Sequence, residues 1–269
     1  MRPDTSTRLF AVLGNPVAHS LSPRFQNAAF RAAGLDAVYL ALAVARDDVA
    51  PVIRTLCANG GGGNVTLPYK EVAGGIPARA SARVRLLGAA NLFGATPNGL
   101  ELGNTDVDGI LAAFDALGSP AGPWYVLGTG GSARAVAGAA LERGVPIAVR
   151  SRDAARAAAF GTWASTAGLE LTNAEQCRVV INATPLGLAP DDAFPIEPAC
   201  LTGIDAALDL TYRLDGLTPW VRACQERGIA ALDGREVLLH QGAASWALWF
   251  PGILPPLDVM RAAIDGRRS

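Results

Sequence analysis

The sequence predicts an α/β protein of two domains, on three observations. Short apolar runs alternate with alanine-rich stretches along the whole chain, which is the pattern of parallel strands joined by crossover helices. The length of 269 residues is more than a single domain usually needs. A cluster of chain-breaking residues, Gly118-Ser-Pro-Ala-Gly-Pro123, interrupts the alternation near the middle of the chain and marks a plausible seam.

The first half of the chain is predicted to form an N-terminal α/β domain, residues 1–107. Its strands are expected at apolar runs that end in turn or polar residues, and its helices at alanine-rich amphipathic stretches. The expected strands are Leu9–Gly14, Val38–Val44, Gly62–Thr66, Ala89–Phe93 and Leu100–Asn104, and the expected helices are Pro23–Ala33 and Asp47–Ala58.

Residues 108–236 are predicted to form the second domain, which opens with a helix at Asp108–Leu117. Residues 237–269 are again helical and are expected to pack back on the first domain. The apolar run Val237–Phe250 is shorter than the roughly 20 residues that a bilayer span requires, so it predicts a buried helix. The expected strands of the second domain are Trp124–Leu127, Pro146–Arg150, Arg178–Asn182 and Asp205–Leu210.

Charge and cysteine content exclude several classes of function. The formal net charge is −1, which gives no reason to expect a nucleic acid partner, and no membrane association is expected. The N-terminal segment lacks the apolar core of a signal peptide, so a cytoplasmic location is predicted. No metal site is expected, because the cysteines form no CxxC pair and no cluster with histidine. They are interpreted as buried thiols of a reducing compartment: Cys57, Cys177, Cys200 and Cys224.

A glycine-rich turn follows the strand expected at Trp124–Leu127 and opens an alanine-rich helix. In that context Gly128-Thr-Gly-Gly-Ser-Ala133 satisfies the G-x-G-x-x-A pattern of a Rossmann-like, doubly wound dinucleotide-binding domain. The first glycine permits a tight turn, the second permits close approach of a pyrophosphate, and the helix N-terminus favours its charge. A glycine-rich loop without a ligand is the alternative, and the flanking strand and helix favour cofactor binding. The predicted cofactor residues are Gly128, Thr129, Gly130, Gly131, Ser132 and Ala133.

The end of the next strand indicates which dinucleotide is bound. NAD enzymes usually carry an acidic residue there, whereas this chain has Arg150, Ser151 and Arg152. Guanidinium and hydroxyl groups suit a 2′-phosphate, so NADP is the predicted cofactor. Asp153 weighs against this interpretation without reversing it, and a solvated basic turn is the alternative.

Polar groups also follow the expected strands of the first domain, where open α/β sheets bind ligands. They fall in three segments: His19–Pro23, Asn64–Lys70 and Asn104–Asp106. Taken singly, each has an ordinary explanation, with Ser22 and Asp106 as helix caps and Lys70 as a solvated lysine. Their combination is more informative than any one of them.

Together these segments resemble the shikimate dehydrogenase family over nearly the whole chain. The resemblance rests on Gly14-Asn-Pro-Val-Ala-His-Ser-Leu-Ser-Pro23, Asn64-Val-Thr-Leu-Pro-Tyr-Lys70, Gly88-Ala-Ala-Asn91, Gly103-Asn-Thr-Asp106, Gly128–Ala133, Asn182-Ala-Thr-Pro-Leu-Gly187, Asp209-Leu-Thr-Tyr212 and Gln241-Gly-Ala243.

By that resemblance Lys70 and Asp106 are the catalytic pair, and Ser20 and Ser22 bind a substrate carboxylate. The resemblance further implies that ring hydroxyls are bound by Asn64, Thr66, Asn91, Asp106, Tyr212 and Gln241, and that Thr184, Leu210 and Gly234 join the cofactor residues.

Four positions depart from the family's usual pattern and leave fine substrate and cofactor preference open. Gln26 replaces a common histidine, Leu92 a threonine, Val149 an asparagine and Glu236 a glycine. None of them is a predicted catalytic group.

The expected activity is reversible, NADP-dependent reduction of 3-dehydroshikimate to shikimate in aromatic amino acid biosynthesis. A lysine ammonium can protonate and stabilise the oxygen on which charge develops, and a carboxylate can hold that ammonium; which of the two groups transfers the proton stays open. The alternatives are a quinate or aminoshikimate dehydrogenase of the same family and a ligand-sensing protein without turnover. The protein is expected to be a monomer or a homodimer.

Overall fold

The computed structural model describes residues 4–189 and 191–266, which divide into two compact units. Unit 1 comprises Met1–Thr105 and Leu238–Ser269, and unit 2 comprises Asp106–Val237. The first division falls two residues before the boundary expected from the sequence, and the second falls one residue after it, inside a helix. Each unit is described separately below.

Unit 1 is built on a six-stranded sheet with the strand order β2-β1-β3-β5-β6-β4. Its strands are β1 (Arg8–Gly14), β2 (Ala37–Ala43), β3 (Gly62–Val65), β4 (Arg79–Ala80), β5 (Leu92–Thr96) and β6 (Gly99–Gly103), and its helices before the division are α1 (Ser22–Ala32), α2 (Val49–Ala58), α3 (Lys70–Gly74) and α4 (Ala82–Leu87).

The sheet of unit 1 is mixed, whereas the alternation of the sequence suggested parallel strands. β5 pairs antiparallel with β6, because Pro97 and Asn98 form a tight turn between Thr96 and Gly99, and it also pairs antiparallel with β3. The strand expected at Ala89–Phe93 therefore starts three residues too early. Ala89 and Ala90 instead form a buried connection after the left-handed Gly88, which ends α4.

The C-terminal helices of unit 1 complete an aromatic core against the first strand. They are α10 (Trp246–Trp249) and α11 (Leu257–Ile264), and α11 packs on α1. The ring of Phe10 on β1 lies 5.1 Å from that of Trp249 and 5.4 Å from that of Phe250, measured between centroids. Burying rings of this size supplies most of the local hydrophobic stabilisation.

Unit 2 contains a five-stranded parallel sheet with the order β11-β10-β9-β7-β8. Its strands are β7 (Trp124–Leu127), β8 (Ile147–Arg150), β9 (Val179–Asn182), β10 (Ala206–Asp209) and β11 (Ala230–Leu232), and its helices are α5 (Asp106–Ala116), α6 (Gly131–Arg143), α7 (Ala154–Thr166) and α8 (Pro219–Glu226). Helix α9 (Arg235–Ala244) contains the second division between the units.

The strand order of unit 2 places a topological switch between β7 and β9. From β7 the chain moves outward to β8 and then returns to the other side of β7 as β9. The carboxyl ends of the strands at such a switch flank a crevice where open α/β sheets bind ligands. Helix α6, which follows β7, packs closely on its surroundings because its buried residues are alanine, glycine and one valine.

Among the residues that the structure describes, no helix has both the length and the apolar character of a membrane span. Within the same residues no cluster of three His, Cys, Asp or Glu side chains could hold a metal ion. Cys177 and Cys224 are buried and Cys57 is half-buried, but Cys200 is exposed, so the interpretation as a buried thiol is wrong for Cys200. It lies at the end of a short turn on the surface.

Candidate functional site

Two loops meet at the carboxyl ends of β1 and β3 in unit 1. Gly14 ends β1, and a Cβ atom at this position would lie 2.5 Å from Thr66 Cγ2 and 3.0 Å from the Leu67 carbonyl oxygen. The Asn15 N–H donates to that same carbonyl at 3.1 Å. A glycine at position 14 is therefore required for the loop that carries Ser20 to approach the loop that carries Thr66 and Lys70.

Ser20 and Ser22 lie at the start of α1. The Ser20 hydroxyl accepts a hydrogen bond from the Ser22 N–H at 3.2 Å, and the Ser22 side chain is buried. The N-cap position of the helix is occupied by Leu21, which has no capping side chain. Ser22 is thus inside the first turn, and the explanation of Ser22 as a helix cap is wrong.

Lys70 is the first residue of α3 and is half-buried. Its carbonyl oxygen accepts from the Ala90 N–H at 2.8 Å, which ties α3 to the segment that leads into Asn91. On the other side, the Tyr69 hydroxyl donates to the Val44 carbonyl at 2.9 Å. These bonds fix the backbone from which the Lys70 ammonium extends. Lys70 is also the only lysine among the 23 lysine and arginine residues of the chain.

Asn64 lies at the centre of a buried hydrogen-bond network in unit 1. Its Oδ1 accepts from the Tyr39 hydroxyl at 2.8 Å, and its Nδ2 donates to the Asn91 carbonyl and to Ser245 Oγ, each at 3.1 Å. Both N–H bonds of this amide are therefore used, while Oδ1 keeps one acceptor position. A ligand hydroxyl that reaches Asn64 has to act as the donor.

Asn91 connects the segment that leads into Asp106 to helix α9. Its Oδ1 accepts from the Thr105 N–H at 2.7 Å, and its Nδ2 donates to Gln241 Oε1 at 3.3 Å. Thr105 directly precedes Asp106, which is the first residue of α5 and is 8% exposed. Gln241 is held a second time because its Nε2 donates to the Leu238 carbonyl at 2.9 Å.

The glycine-rich turn of unit 2 depends on glycine for its backbone conformation and its close contacts. Gly128 has a φ of 113°, and a Cβ atom there would lie 2.9 Å from the Ala183 carbonyl oxygen. Gly130 is exposed and precedes the first turn of α6, and a Cβ atom there would have no neighbour within 4 Å. Thr129 and Ser132 are half-buried, and Gly131 and Ala133 are buried beneath this open surface.

The basic turn after β8 begins directly beside that turn. The Gly128 N–H donates to the Arg150 carbonyl at 2.8 Å, and Arg150 and Arg152 are exposed. Asp153 is the N-cap of α7, where its Oδ1 accepts from the Ala155 N–H at 2.9 Å and the Arg156 N–H at 3.2 Å. The Asp153 carboxylate, which weighed against NADP, therefore caps the helix. The Ser151 hydroxyl accepts from the N–H of Asp153.

The other predicted cofactor residues lie at the ends of β9, β10 and β11. Thr184 donates from Oγ1 to Asn182 Oδ1 at 2.6 Å. The Leu210 N–H donates to the Asn182 carbonyl at 2.9 Å, and a Cβ atom on Gly234 would lie 2.5 Å from the Leu210 carbonyl oxygen. Unit 2 thus gathers every predicted cofactor residue at the carboxyl edge of one sheet.

A buried carboxylate at this edge was not predicted from the sequence. Asp209 ends β10 with no exposed surface, and burial raises its pKa to about 6 against the opposing effect of hydrogen bonds from Thr211, Thr218 and Asn182. The available signal was a polar residue at the end of each of two otherwise apolar strands, Val179–Asn182 and Ala206–Asp209.

The predicted substrate residues are divided between the units. Seven of the nine predicted catalytic and substrate residues lie in unit 1, whereas Asp106 and Tyr212 belong to unit 2. Tyr212 is half-buried and follows Thr211, which is bonded to Asp209. The residues in unit 1 are Ser20, Ser22, Asn64, Thr66, Lys70, Asn91 and Gln241.

Comparison with known proteins identifies relatives that cover more than nine-tenths of the chain. Residues 12–93 match the shikimate dehydrogenase substrate binding domain, and residues 234–264 match the shikimate 5′-dehydrogenase C-terminal domain. The chain is 37% identical over 262 residues to shikimate dehydrogenase (NADP(+)) of Acidiphilium cryptum, covering 93% of each protein. It is 36% identical to the enzyme of the same name from Thermus thermophilus, covering 94% of this chain and 96% of that protein.

Solved structures with the same fold as this chain include a shikimate dehydrogenase. The crystal structure of a shikimate 5-dehydrogenase from Thermus thermophilus in complex with NADP(H) and shikimate superposes with a TM-score of 0.85 at 35% identity, covering 95% of this chain and 98% of that one. A 5-ketofructose reductase of Gluconobacter has the same fold, with a TM-score of 0.83 at 27% identity, covering 97% of this chain and 98% of that one. The prediction from the sequence motifs is confirmed: the chain belongs to the shikimate dehydrogenase family.

Proposed function

We propose that the chain catalyses the reversible reduction of 3-dehydroshikimate to shikimate with NADPH. The observation that carries the proposal is similarity over more than nine-tenths of the chain to enzymes named shikimate dehydrogenase (NADP(+)), together with the polar side chains at the predicted site positions of unit 1. The first unit would bind the substrate and the second the cofactor. On this assignment residues 1–107 and 237–269 serve substrate binding, and residues 108–236 serve NADP binding.

The residues of unit 2 fit an NADP molecule in three respects. Gly130 leaves open space in front of the N-terminus of a 13-residue helix, which suits a pyrophosphate. Arg150 and Arg152 are exposed beside the turn and can bind a 2′-phosphate. The one acidic side chain of that segment, Asp153, is directed to the N-terminus of its own helix. When bound, the nicotinamide supplies the hydride that the reduction requires.

The residues of unit 1 fit a small hydroxylated carboxylate. Ser20 and Ser22 offer hydroxyls near the start of α1, and the free acceptor position of Asn64 suits a hydroxyl that donates. We assign the further hydroxyl contacts to Thr66, Asn91 and Gln241 of unit 1 and to Tyr212 of unit 2. These groups bind and orient the ring, and they leave the reacting carbonyl to a group that can donate a proton.

Lys70 is that group in our proposal. Reduction of a ketone places negative charge on the carbonyl oxygen, and a lysine ammonium can stabilise this charge and transfer the proton that the oxygen takes up. Asp106 acts as its carboxylate partner in our proposal, holding the ammonium toward the substrate. In the oxidation direction the same pair would accept the proton from the substrate hydroxyl.

Steady-state kinetics with purified protein test the proposal directly. Nicotinamide absorbance is followed with shikimate, quinate and an aminoshikimate, each with NADP and with NAD. We expect the largest kcat/KM for shikimate with NADP. A larger kcat/KM for quinate or an aminoshikimate would show that this compound, and not shikimate, is the substrate of this family member. Absence of turnover with all three compounds would indicate a ligand-binding protein without catalytic activity.

The proposal also includes the location of the protein and its oligomeric state. Because the proposed product belongs to aromatic amino acid biosynthesis, we place the protein in the cytoplasm. We propose a monomer or a homodimer, which light scattering of the purified protein distinguishes.

A further inference from the structure

Asp209 accepts four hydrogen bonds although its side chain is fully buried. Its Oδ1 accepts from Asn182 Nδ2 at 2.8 Å, from the Thr211 N–H at 3.0 Å and from Thr211 Oγ1 at 2.8 Å. Its Oδ2 accepts from Thr218 Oγ1 at 2.8 Å. An ionised carboxylate accepts all four of these bonds without bringing a donor of its own, whereas a protonated one adds an O–H that needs a further acceptor.

The partners of Asp209 belong to two segments, of which the first is bonded to the residue before the glycine-rich turn. Asn182 is also bonded to the residues that follow it in the chain. Its Oδ1 accepts from the Thr184 N–H at 3.0 Å, and its Nδ2 donates to the Leu186 carbonyl at 3.0 Å. The Ala183 N–H donates to the Leu127 carbonyl at 2.8 Å, immediately before Gly128.

The second segment follows β10. Thr211, held twice by Asp209, accepts at its carbonyl from the Gly234 N–H at 2.8 Å. Thr218 is the N-cap of α8, where its Oγ1 also accepts from the Val221 N–H. One carboxylate therefore joins the end of β9, the end of β10 and the start of α8.

We propose that Asp209 is a positioning residue for the cofactor: it holds the segment 182–187 against the glycine-rich turn, and so sets the affinity for NADP. This inference rests on the proposed binding of NADP in unit 2. Asp209 does not touch the reacting atoms in this role. Its main effect is on cofactor affinity, and the predicted substrate residues of unit 1 lie outside its hydrogen bonds.

The surroundings of Asp209 make its charge sensitive to pH. Its titratable neighbour on α8 is Cys224, whose pKa is raised to about 12 by burial and, to a smaller degree, by the charge of Asp209. That thiol therefore stays neutral. The groups that face Asp209 from β9 and from the loop after β10, Asn182, Thr211 and Thr218, do not titrate. Burial raises the pKa of Asp209 to about 6, so its carboxylate is ionised at neutral pH and protonated below.

The first test compares Asp209→Asn with Asp205→Asn. Asp205 lies just before the same strand at its other end, exposed and paired with Arg178, so the control makes the same change of charge away from the network. We expect Asp209→Asn to weaken NADP binding at pH 7.5 by about tenfold or more, as loss of a hydrogen bond to a charged group predicts. Calorimetry measures the Kd of NADP and, separately, that of shikimate.

A second pair of variants covers the case in which Asp209→Asn does not fold. Thr218→Val removes the donor to Asp209 Oδ2, and Thr218→Ser keeps it. We expect the valine variant to weaken NADP binding by about threefold or more and the serine variant to bind like the wild type. Equal Kd values for the valine variant and the wild type would overturn the proposal, as would equal values for Asp209→Asn and Asp205→Asn.

The pH dependence separates a charged holding group from a merely structural one. The ratio of the Kd of Asp209→Asn to that of the wild type cancels the titration of NADP itself. We expect this ratio to fall toward one as the pH is lowered from about 7.5 to about 5, because the wild-type carboxylate becomes protonated. A ratio that does not change with pH overturns the role of the charge.

These measurements do not depend on turnover. If the wild type binds NADP but does not oxidise shikimate, the proposed activity fails and the Kd values still decide the role of Asp209. If shikimate is oxidised and Asp209→Asn binds NADP like the wild type, only the inference about Asp209 fails.

Discussion

The side chain of Gln26 on α1 bonds to the indole of Trp246, 220 residues further along the chain. Gln26 Oε1 accepts from Trp246 Nε1 at 2.9 Å, and Gln26 Nε2 donates to the Gly242 carbonyl at 3.0 Å. Gln26 has no exposed surface, and Gly242 follows the predicted substrate residue Gln241. One amide thus joins α1 to both α9 and α10.

Replacing Gln26 with methionine should destabilise unit 1 by about 2–4 kcal/mol, since two buried polar partners lose their hydrogen bonds while the volume is kept. Urea denaturation of the variant and the wild type measures the difference. Gln225→Met is the control, because Gln225 is exposed and its side-chain Nε2 donates to the Ala231 carbonyl. A cost for Gln26→Met no larger than that of the control would contradict the prediction.

The strands and the cofactor turn could be predicted from the sequence because they depend on neighbouring residues. Apolar runs such as Leu9–Gly14 predict buried strands. The glycine at position 128, directly after such a run, predicts a tight turn. The hairpin between β5 and β6 was missed even though Pro97, Asn98 and Gly99 are turn residues. Alternation alone had suggested that all strands were parallel.

The hydrogen-bond networks could not be predicted in the same way, because their members are far apart in the chain. Tyr39 and Asn64 are separated by 25 residues, and Asn64 and Ser245 by 181. No feature of the sequence distinguishes Tyr39 from an ordinary aromatic residue of the core. Asp209 is recognisable in the sequence as a charged residue at the end of an apolar strand. The donors that surround it are known only from the fold.

The preference for NADP should depend on the exposed arginines after β8. Replacing Arg150 and Arg152 together with alanine removes the cations that would bind the 2′-phosphate, so kcat/KM with NADP should fall by about tenfold to a hundredfold, while the value with NAD changes little. Kinetics with both cofactors measure this. Arg156→Ala is the matched control, an exposed arginine in the first turn of α7. Equal losses with NADP and NAD would refute the assignment.

The raised pKa of Asp209 should leave a signature in folding stability. Its pKa lies at about 6 in the folded protein and near 3.8 when unfolded, so the folded state retains the proton over this range. The stability that this group contributes is present below pH 3.8 and is lost as the pH rises through 6, by roughly 3 kcal/mol. Other carboxylates titrate as well, so the difference in unfolding free energy between the wild type and Asp209→Asn is measured at each pH. A constant difference from about pH 4 to about pH 7 would contradict the prediction.

Lys70 is the only lysine of a chain that otherwise uses arginine for every cationic side chain. Arginine does not release its proton at any physiological pH, whereas an ammonium group can exchange one. If Lys70 only provided charge, Lys70→Arg would keep much of the activity. We expect instead that both Lys70→Arg and Lys70→Ala lower kcat by about 10² to 10⁴, the usual contribution of a general acid, with smaller changes in the KM of shikimate.

The single lysine also allows a test without substitution. Reductive methylation modifies Lys70 and the N-terminal amine, and in Lys70→Ala it modifies the N-terminal amine alone. Since the methylated amine keeps its charge but carries bulk at the reacting nitrogen, methylation should abolish turnover of the wild type, and saturating shikimate should protect against it. Calorimetry should show that NADP still binds the methylated protein with unchanged Kd, because Lys70 belongs to unit 1 and the cofactor residues to unit 2. Full activity after complete methylation would contradict close contact between the Lys70 nitrogen and the substrate, since the methyl groups occupy the space around that nitrogen while leaving it one N–H.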